Sequence, residues 1–472
     1  MAEPSPSSNP SPTIRSSESQ LLAEGGVSNS NGDMETMKDI VTPNGEMIDE
    51  KNWTKEQSIS NNLETITTVG ALGPPPDGGL RAWLVVTGVF CAGFCTFGFA
   101  NAFGVFQAYY AKTIPGATQF SIAWIGSLQY SLIFLPGLVA GHLSDIGYLR
   151  PMLVIASAMM IISIFLVEEC KTLWQLVLCQ GLAIGGASGF LFIPSLGVLP
   201  QYFVKKRATA YGCTALGSSL GGTLLPIVLR KLIAAVGFKW TIRILGFIIM
   251  AFLGVMLVCV RPRTDTRNNR GKFPLRELIG NRTIMLYIAA VSIMWLGIYI
   301  PLTYFDFYAQ EKLRIPATRS YYVIVTANAV SIVGRIGCGI LADKFGPLNV
   351  QTAFCAGAAF LTIAWPYTRG FGSLEVVAAL YGICSGVFVS LLPAPSANMV
   401  PPHQIGASIG LAGTCMALFA AFSAPIAGQI LDTSHGLNFV AVGGYSGAMV
   451  LFACCFSLAS RYTALGGWKG KF

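Results

Sequence analysis

The chain has 472 residues, of which 53% are hydrophobic and only 11% are charged. Soluble globular domains typically carry about 25% charged residues, so this composition excludes a large soluble protein. The net charge is +9 and there are 52 glycines, a residue that allows membrane helices to approach closely. We therefore expect an all-α polytopic membrane protein.

Residues 1–80 form the first predicted segment, a disordered cytosolic N-terminal tail. Ser, Pro, Asn and acidic residues dominate it, with 12 acidic against 4 basic side chains. Such a segment cannot bury enough apolar surface to fold, and it lacks the apolar region of a signal peptide. Residues 81–472 carry 27 basic and 10 acidic side chains. The basic residues are spread between apolar runs and do not form one patch, so a nucleic acid partner is not expected.

Twelve apolar runs follow, each near the 20 residues that an α-helix needs to cross about 30 Å of hydrocarbon. We predict an N-terminal six-helix bundle over 81–260 and a C-terminal six-helix bundle over 282–461. A basic cytosolic linker over 261–281 joins them, and 462–472 form a short cytosolic tail. The runs cover approximately 83–110, 119–141, 151–168, 172–200, 207–232, 239–260, 282–308, 320–342, 349–368, 374–397, 404–431 and 437–460.

The distribution of basic residues predicts the orientation in the lipid bilayer. Lys and Arg accumulate in cytoplasmic loops, and placing the tail inside puts 15 bases in inner loops and 9 in outer loops. Both termini are therefore predicted to be cytosolic, with the plasma membrane as the default location. The basic cluster at 261–282 would anchor this topology at anionic lipid. The sequence does not indicate whether an accessory subunit exists.

One short motif occurs twice, 198 residues apart. Gly-His-Leu-Ser-Asp at 141–145 and Gly-Ile-Leu-Ala-Asp at 339–343 each end the second apolar run of their half. An Asp there can accept hydrogen bonds from the N-terminus of a neighbouring helix. Two copies at equivalent positions resemble the loop signature of the major facilitator superfamily, and the resemblance covers 77–460.

That resemblance implies a major facilitator fold of 12 transmembrane helices, with two bundles rocking around a central substrate path. In the first copy Ile146 replaces the usual base and the glycine is shifted, so a weaker latch is expected there. The alternative is that the two aspartates only cap turns. The implied conformational latch consists of Gly141, Asp145, Arg150, Gly339, Asp343, Lys344 and Gly346.

A second signature precedes the first apolar run. Asp77, Gly78 and Gly79 are followed by Trp83 at the membrane edge, where tryptophan is favoured. These residues resemble the helix-1 signature of the monocarboxylate transporter family, and 201–212 resemble the start of its helix 5. The run 102–110 is most similar to the fungal branch of that family. The resemblance implies transport of a small organic anion.

Arg335 is predicted to line the central path. It lies eight residues before Asp343, roughly 12 Å from the helix end at 1.5 Å per residue. A charge at that depth is costly and normally faces a cavity or a partner, and a guanidinium can bind a carboxylate through two hydrogen bonds. The monocarboxylate transporter family has an arginine at this place, which implies anion binding or proton coupling. The alternative is that Arg335 only braces the fold.

Two positions depart from that family. Its animal members have an acid where Ser331 stands and a helix-1 lysine where Asn101 stands. Asp306 is the candidate that replaces the missing proton carrier, although a solvated helix-end acid explains it equally. Asn328 lies two turns before Arg335 and shares its helical face. The predicted substrate-binding residues are Arg335, Asn101, Asn328, Tyr304 and Gln129.

These features predict a secondary active transporter of a monocarboxylate-like organic anion, coupled to a proton and working by alternating access. Facilitated diffusion of riboflavin and export of a secondary metabolite are alternatives within the same fold. A non-transporting nutrient sensor is the alternative from another class. An enzyme is not expected, because there is no nucleophile–base pair and no phosphate loop. The 12 Cys and 3 His show no metal-ligand spacing, so neither a metal nor a cofactor is expected.

Overall fold

A computed structural model of the protein describes residues 75–115, 119–263, 275–432, 438–467 and 470. Over these residues the regular structure is helical and contains no β-strand. Most of the predicted tail (1–74) and the middle of the predicted linker (264–274) lie outside the described residues. A short helix, Leu275–Gly280, occupies the described end of the linker region.

Within the described ranges, eleven helices are long and apolar enough to cross a membrane. The longest, Arg207–Cys259, contains a break at Gly237 (φ 78°, ψ 170°) and therefore counts as two spans. The predicted total of twelve is confirmed. The spans are α1 (Leu80–Thr113), α2 (Trp124–Asp145), α3 (Leu149–Val167), α4 (Leu173–Gln201), α5 (207–236), α6 (238–259), α7 (Arg282–Glu311), α8 (Tyr322–Phe345), α9 (Pro347–Tyr367), α10 (Phe371–Met399), α11 (Pro402–Leu431) and α12 (Phe439–Leu465).

The apolar side chains form two large cores, one in each half of the chain. The first core consists almost entirely of residues from α1 to α6. The second is built from α7 to α12, and Phe97, Phe134 and Ile193 of the first half join it where the halves meet. The main contacts between the halves pair α2 with α11 and α5 with α8. This is the arrangement of the predicted major facilitator fold.

Several helices are interrupted within the span, which the apolar runs did not predict, and the interruptions in α1 and α7 correspond to each other. In α1 the helix breaks at Ala102 (φ −81°, ψ −4°), and in α7 it breaks at Tyr299 (φ −98°, ψ −10°). Pro301 explains the second break, because proline has no N–H to donate to the carbonyl one turn earlier. The two breaks are 197 residues apart and thus occupy corresponding places in the two halves.

We call the end of the molecule at which α1 begins and α12 ends the terminal face, and the other end the opposite face. The helices α2, α4, α8 and α10 end at the terminal face, and α5 and α11 begin there. The two copies of the repeated motif therefore lie on the terminal face. Arg230 and Tyr321, at the far end of α5 and the start of α8, lie towards the opposite face.

Candidate functional site

A cavity of about 530 Å³ lies between the two halves. Its mouth includes Arg230 and Tyr321, so it opens towards the opposite face, while Arg335 lies at its inner end with a relative exposure of 6%. Both halves contribute to the lining, chiefly through α1, α2, α5, α7, α8 and α10. Representative lining residues are Phe97, Asn101, Tyr130, Ser218, Arg230, Tyr299, Asp306, Asn328, Arg335 and Ser385.

Arg335 contributes a fixed positive charge to the inner end of this cavity. Its Nη1 atom donates to the carbonyl oxygen of Ala215 and to the Ser218 hydroxyl, each at 3.0 Å. Its Nε atom lies 3.5 Å from the Ser331 hydroxyl. These partners are neutral, and among the described residues Arg335 forms no ion pair with an Asp or Glu. The guanidinium therefore links α8 to α5 and still carries an uncompensated charge.

Ser331 keeps the charge on Arg335 uncompensated. Its hydroxyl lies 2.6 Å from the Asn328 carbonyl oxygen and 3.0 Å from the Ser219 hydroxyl. A carboxylate at this place, one turn before Arg335, would neutralise the guanidinium. The serine instead completes a chain of neutral hydrogen bonds across α5 and α8.

Four of the six residues predicted for the path and for proton coupling line the cavity, namely Arg335, Asn101, Asn328 and Asp306. One carboxylate oxygen of Asp306, Oδ1, is buried and accepts no hydrogen bond from the described part of the chain. The Asn101 side-chain oxygen lies 3.4 Å from the Tyr130 hydroxyl. Polar residues from both halves therefore surround one space.

Of the predicted substrate-binding residues, Gln129 and Tyr304 do not line this cavity. Gln129 is only 1% exposed and its backbone faces Gly185 of α4. The Tyr304 hydroxyl points towards Gly428 of α11. Each lies one or two positions from a lining residue, Tyr130 or Asp306, and one step along a helix turns a side chain by about 100°. A polar residue in an apolar run gives no information about which face it occupies.

Aromatic side chains form part of the cavity that was not predicted. Phe97, Tyr130 and Tyr299 face the cavity. The rings of Tyr130 and Tyr299 meet edge to face with centroids 6.1 Å apart. Tyr299 is also the residue at which α7 breaks, and it stands 198 positions after Asn101. The correspondence between the halves and the following Pro301 are the sequence signals that point to it.

The two repeated aspartates hold the halves together at the terminal face. Asp145 of α2 accepts hydrogen bonds from the backbone amides of Gly406 (3.1 Å) and Ala407 (2.7 Å) at the start of α11. Asp343 of α8 accepts them from the amides of Ala208 (2.8 Å) and Thr209 (3.0 Å) at the start of α5. Asp343 stands 198 positions after Asp145, and the donors Gly406 and Ala407 stand 198 positions after Ala208 and Thr209. Each carboxylate thus satisfies free N–H groups at a helix N-terminus of the other half.

The second contact contains one more donor than the first. The Thr209 hydroxyl donates to the Asp343 carboxylate at 2.5 Å, whereas the corresponding residue beside Asp145 is Ala407, which has no hydroxyl. The contact of the first copy therefore has fewer hydrogen bonds, as expected from the sequence. The difference arises from the helix that each aspartate contacts. The expected cause was Ile146 together with the shifted glycine of the first copy.

Glycine allows the close approach that these contacts require. A Cβ atom on Gly141 would lie 2.0 Å from the carbonyl oxygen of Gly406, and one on Gly339 would lie 2.7 Å from the Thr209 Cα atom. The other predicted latch residues complete the turns: Gly346 adopts φ 95°, and the Lys344 amine lies 5.5 Å from the Phe345 ring centroid. Arg150 is exposed at the start of α3.

The Asp-Gly-Gly signature connects the start of α1 to the start of α5. Asp77 adopts φ 51°, and its Oδ1 atom accepts hydrogen bonds from the amides of Val204 (2.6 Å) and Lys205 (2.7 Å). Gly78 follows Asp77, and Gly79 has φ 85°. The Trp83 ring meets the Phe203 ring edge to face at 5.6 Å. Asp77 therefore links the start of α1 to the turn that leads into α5.

The sequence model of the Major Facilitator Superfamily matches residues 89–425. The chain belongs to this superfamily. As a major facilitator it is a multi-pass membrane transporter of small molecules, which confirms the expected fold. The finer assignment to a monocarboxylate-like branch stays a prediction.

Known major facilitators of fungi are similar over most of their length. The aspyridones efflux protein apdF of Emericella nidulans is 34% identical over 401 residues, covering 84% of this chain and 81% of that protein. The fujikurins efflux protein of Gibberella fujikuroi is 31% identical over 394 residues, covering 82% and 84%. Among solved structures, the human organic anion transporter MFSD10 (TETRAN) superposes with a TM-score of 0.63 at 15% identity, covering 80% of this chain and 100% of that one. At that identity the likeness concerns the fold alone.

Proposed function

We propose that the protein exports an organic anion of secondary metabolism across the fungal plasma membrane, with the terminal face in the cytosol. The observation that carries this proposal is Arg335, a buried cation with neutral partners at the inner end of a cavity. An anion that enters the cavity would supply the missing negative charge. Two fungal relatives are efflux proteins, which supports export as the direction of transport.

Cavity size favours a cargo larger than the simple monocarboxylates of our first interpretation. Pockets of about 300–1,000 Å³ enclose drug-sized molecules, and this cavity measures about 530 Å³. A three-carbon acid such as lactate would fill only a small part of it. Proton-coupled uptake of monocarboxylates is therefore the second candidate, supported by the same arginine.

The contacts between the halves support transport by alternating access. In this structure the Asp145 and Asp343 hydrogen bonds close the terminal face, and the cavity is open to the opposite face. The proposed cycle breaks these hydrogen bonds, which lets the halves rock and admits cargo from the terminal face. The Arg335 bonds to Ala215 and Ser218 cross the same interface. A bound anion would compensate the guanidinium when those bonds are lost.

Efflux of fluorescein from yeast tests this function. Fluorescein diacetate enters cells as a neutral ester and is hydrolysed inside to an anion that is retained. Cells that express the protein should lose the dye faster than vector controls, and Arg335→Gln should abolish the difference. The exposed Arg81→Gln, on the terminal end of α1, is the matched control and should behave as the unmodified protein.

Surface expression of each variant is verified by fluorescence microscopy. Equal dye loss with and without the protein would contradict anion export. Faster cytosolic acidification on addition of lactate, abolished by Arg335→Gln, would instead establish the second candidate.

A further inference from the structure

One wall of the cavity is built from seven aromatic rings. Phe97, Tyr130 and Tyr299 face the space, and further rings stand behind them. The Trp295 ring stacks on Tyr299 with centroids 4.5 Å apart, and the Phe192 ring meets Phe97 edge to face at 4.8 Å. We call this set the aromatic wall; it consists of Phe97, Phe134, Phe192, Tyr130, Trp295, Tyr299 and Phe388.

The aromatic wall is fixed in position by its own packing. Phe97, Phe134, Trp295 and Phe388 are each at most 3% exposed. Phe134 of α2 and Trp295 of α7 meet edge to face at 5.2 Å, so the wall crosses from one half to the other. Rings held this way lose little conformational freedom when a ligand binds, which favours affinity.

The aromatic wall and the buried cation share one cavity. Tyr130, Tyr299 and Arg335 all line it. The inner end of the cavity therefore offers the positive charge of Arg335, and aromatic rings line the same space. A ligand whose acid group binds Arg335 can place its other atoms against Tyr130 and Tyr299.

We propose that the cavity selects planar aromatic organic acids, whose acid group binds Arg335 while the ring system lies against the aromatic wall. This inference rests on the proposed transport of an organic anion and adds the shape and electronic character of the cargo. Aromatic pairs prefer offset-stacked or edge-to-face arrangements and gain free energy beyond the area that they bury. A saturated acid of the same size would bury a similar apolar area without that gain.

The decisive comparison uses two acids with the same carbon skeleton, one planar and aromatic and the other saturated and puckered. Dissociation constants of 2-naphthoate and decahydro-2-naphthoate are measured by isothermal titration calorimetry on the detergent-purified full-length protein. We expect 2-naphthoate to bind about tenfold more tightly, the factor that one favourable aromatic contact supplies. Tyr299→Leu should remove most of this preference, whereas Tyr299→Phe, which keeps the ring, should retain it.

A control variant and a neutral ligand separate the possible failures. Phe360→Leu changes an aromatic side chain that is 65% exposed and outside the cavity, and it should leave the preference unchanged. Equal affinity of the unmodified protein for the two acids would overturn the aromatic selection and leave anion transport standing. Equal binding of 2-naphthamide and 2-naphthoate would instead overturn the role of the charge. If neither acid binds, both proposals fail. The two acids are compared on the unmodified protein, so this result does not depend on whether a variant folds.

Discussion

At the scale of single residues, the buried cation could be located from the sequence, but its surroundings could not. Arg335 stands out because a charge in the middle of an apolar run requires a partner or a cavity. That its partners are Ala215, Ser218 and Ser331 depends on the contact between α5 and α8. Glycine on α5 makes this contact possible, since a Cβ atom on Gly212 would lie 2.5 Å from the Arg335 carbonyl oxygen. Hydropathy carries no information on such a contact.

The aromatic residues show the opposite situation. The chain has 29 Phe and 16 Tyr, and most of them do not line the cavity. No spacing distinguishes Phe97 or Tyr130 from the others. Only the approach of α1, α2 and α7 to one another brings these rings to the same wall.

Asp306 gives a prediction at this scale. If it carries the coupled proton, Asp306→Asn should abolish the pH dependence of transport, because an amide cannot take up and release a proton in this pH range. The measurement is the initial rate of 2-naphthoate transport in proteoliposomes between about pH 6 and pH 8, a range in which the carboxylate of this cargo stays ionised. Glu375, at the opposite-face end of α10 and not part of the cavity lining, provides the control Glu375→Gln. A pH profile that is the same in Asp306→Asn and in the unmodified protein would exclude the role.

At the scale of helices, the number of spans could be predicted from hydropathy, whereas the interruptions could not. The sequence runs placed a loop between 232 and 239, but the structure continues the helix to 236 and turns only at Gly237. The breaks at Ala102 and Tyr299 lie inside runs that are apolar on average. Their causes are local backbone geometry and Pro301, to which an average over about 20 residues is insensitive.

The repeated motif gives a prediction at the level of helix contacts. Gly339→Ala should separate α8 from α5, because the added Cβ atom would lie 2.7 Å from the Thr209 Cα atom and 3.0 Å from the Ala208 carbonyl oxygen. The amides of Ala208 and Thr209 would then exchange with deuterium faster. Hydrogen–deuterium exchange of the peptide that covers 204–212 measures this change.

Gly337→Ala is the matched control for that variant. It changes the same residue type in α8 only two positions away, where a Cβ atom would meet nothing within 4 Å. Replacing an open helical glycine by alanine stabilises a helix by up to about 1 kcal/mol. We therefore expect unchanged or slower exchange at 204–212. Faster exchange in both variants would show that the effect does not arise from the close contact.

At the scale of the whole molecule, the two aspartates bias one equilibrium between two arrangements of the halves. Each carboxylate accepts hydrogen bonds across the interface, and a hydrogen bond to a charged group contributes about 1.5–3 kcal/mol. The sites are far apart in sequence and bind different helices, so their contributions should add. The two aspartates could be singled out from the sequence because the motif occurs twice. The helices that they contact could not be predicted.

Removing both charges should open the terminal face. We expect Asp145→Asn and Asp343→Asn each to shift the population towards the state open at that face by about tenfold, since 1.4 kcal/mol corresponds to that factor. The double variant should shift it by the product. Genetically encoded spin labels at Tyr148 and His403, both exposed at the terminal face in different halves, would report the longer distance. An unchanged distance distribution in the double variant would contradict the latch.

A comparison of positions 198 residues apart also shows where the two halves differ. Gly212 contacts the carbonyl oxygen of Arg335, and its counterpart Gly410 contacts that of Gly137, at the position equivalent to Arg335. The same backbone contact therefore occurs in both halves. The residue that supplies the carbonyl oxygen has a guanidinium side chain in one half and no side chain in the other. The contacts that close the terminal face thus occur in two copies, whereas the buried arginine occurs in one. We accordingly expect a stoichiometry of one anionic cargo per conformational cycle.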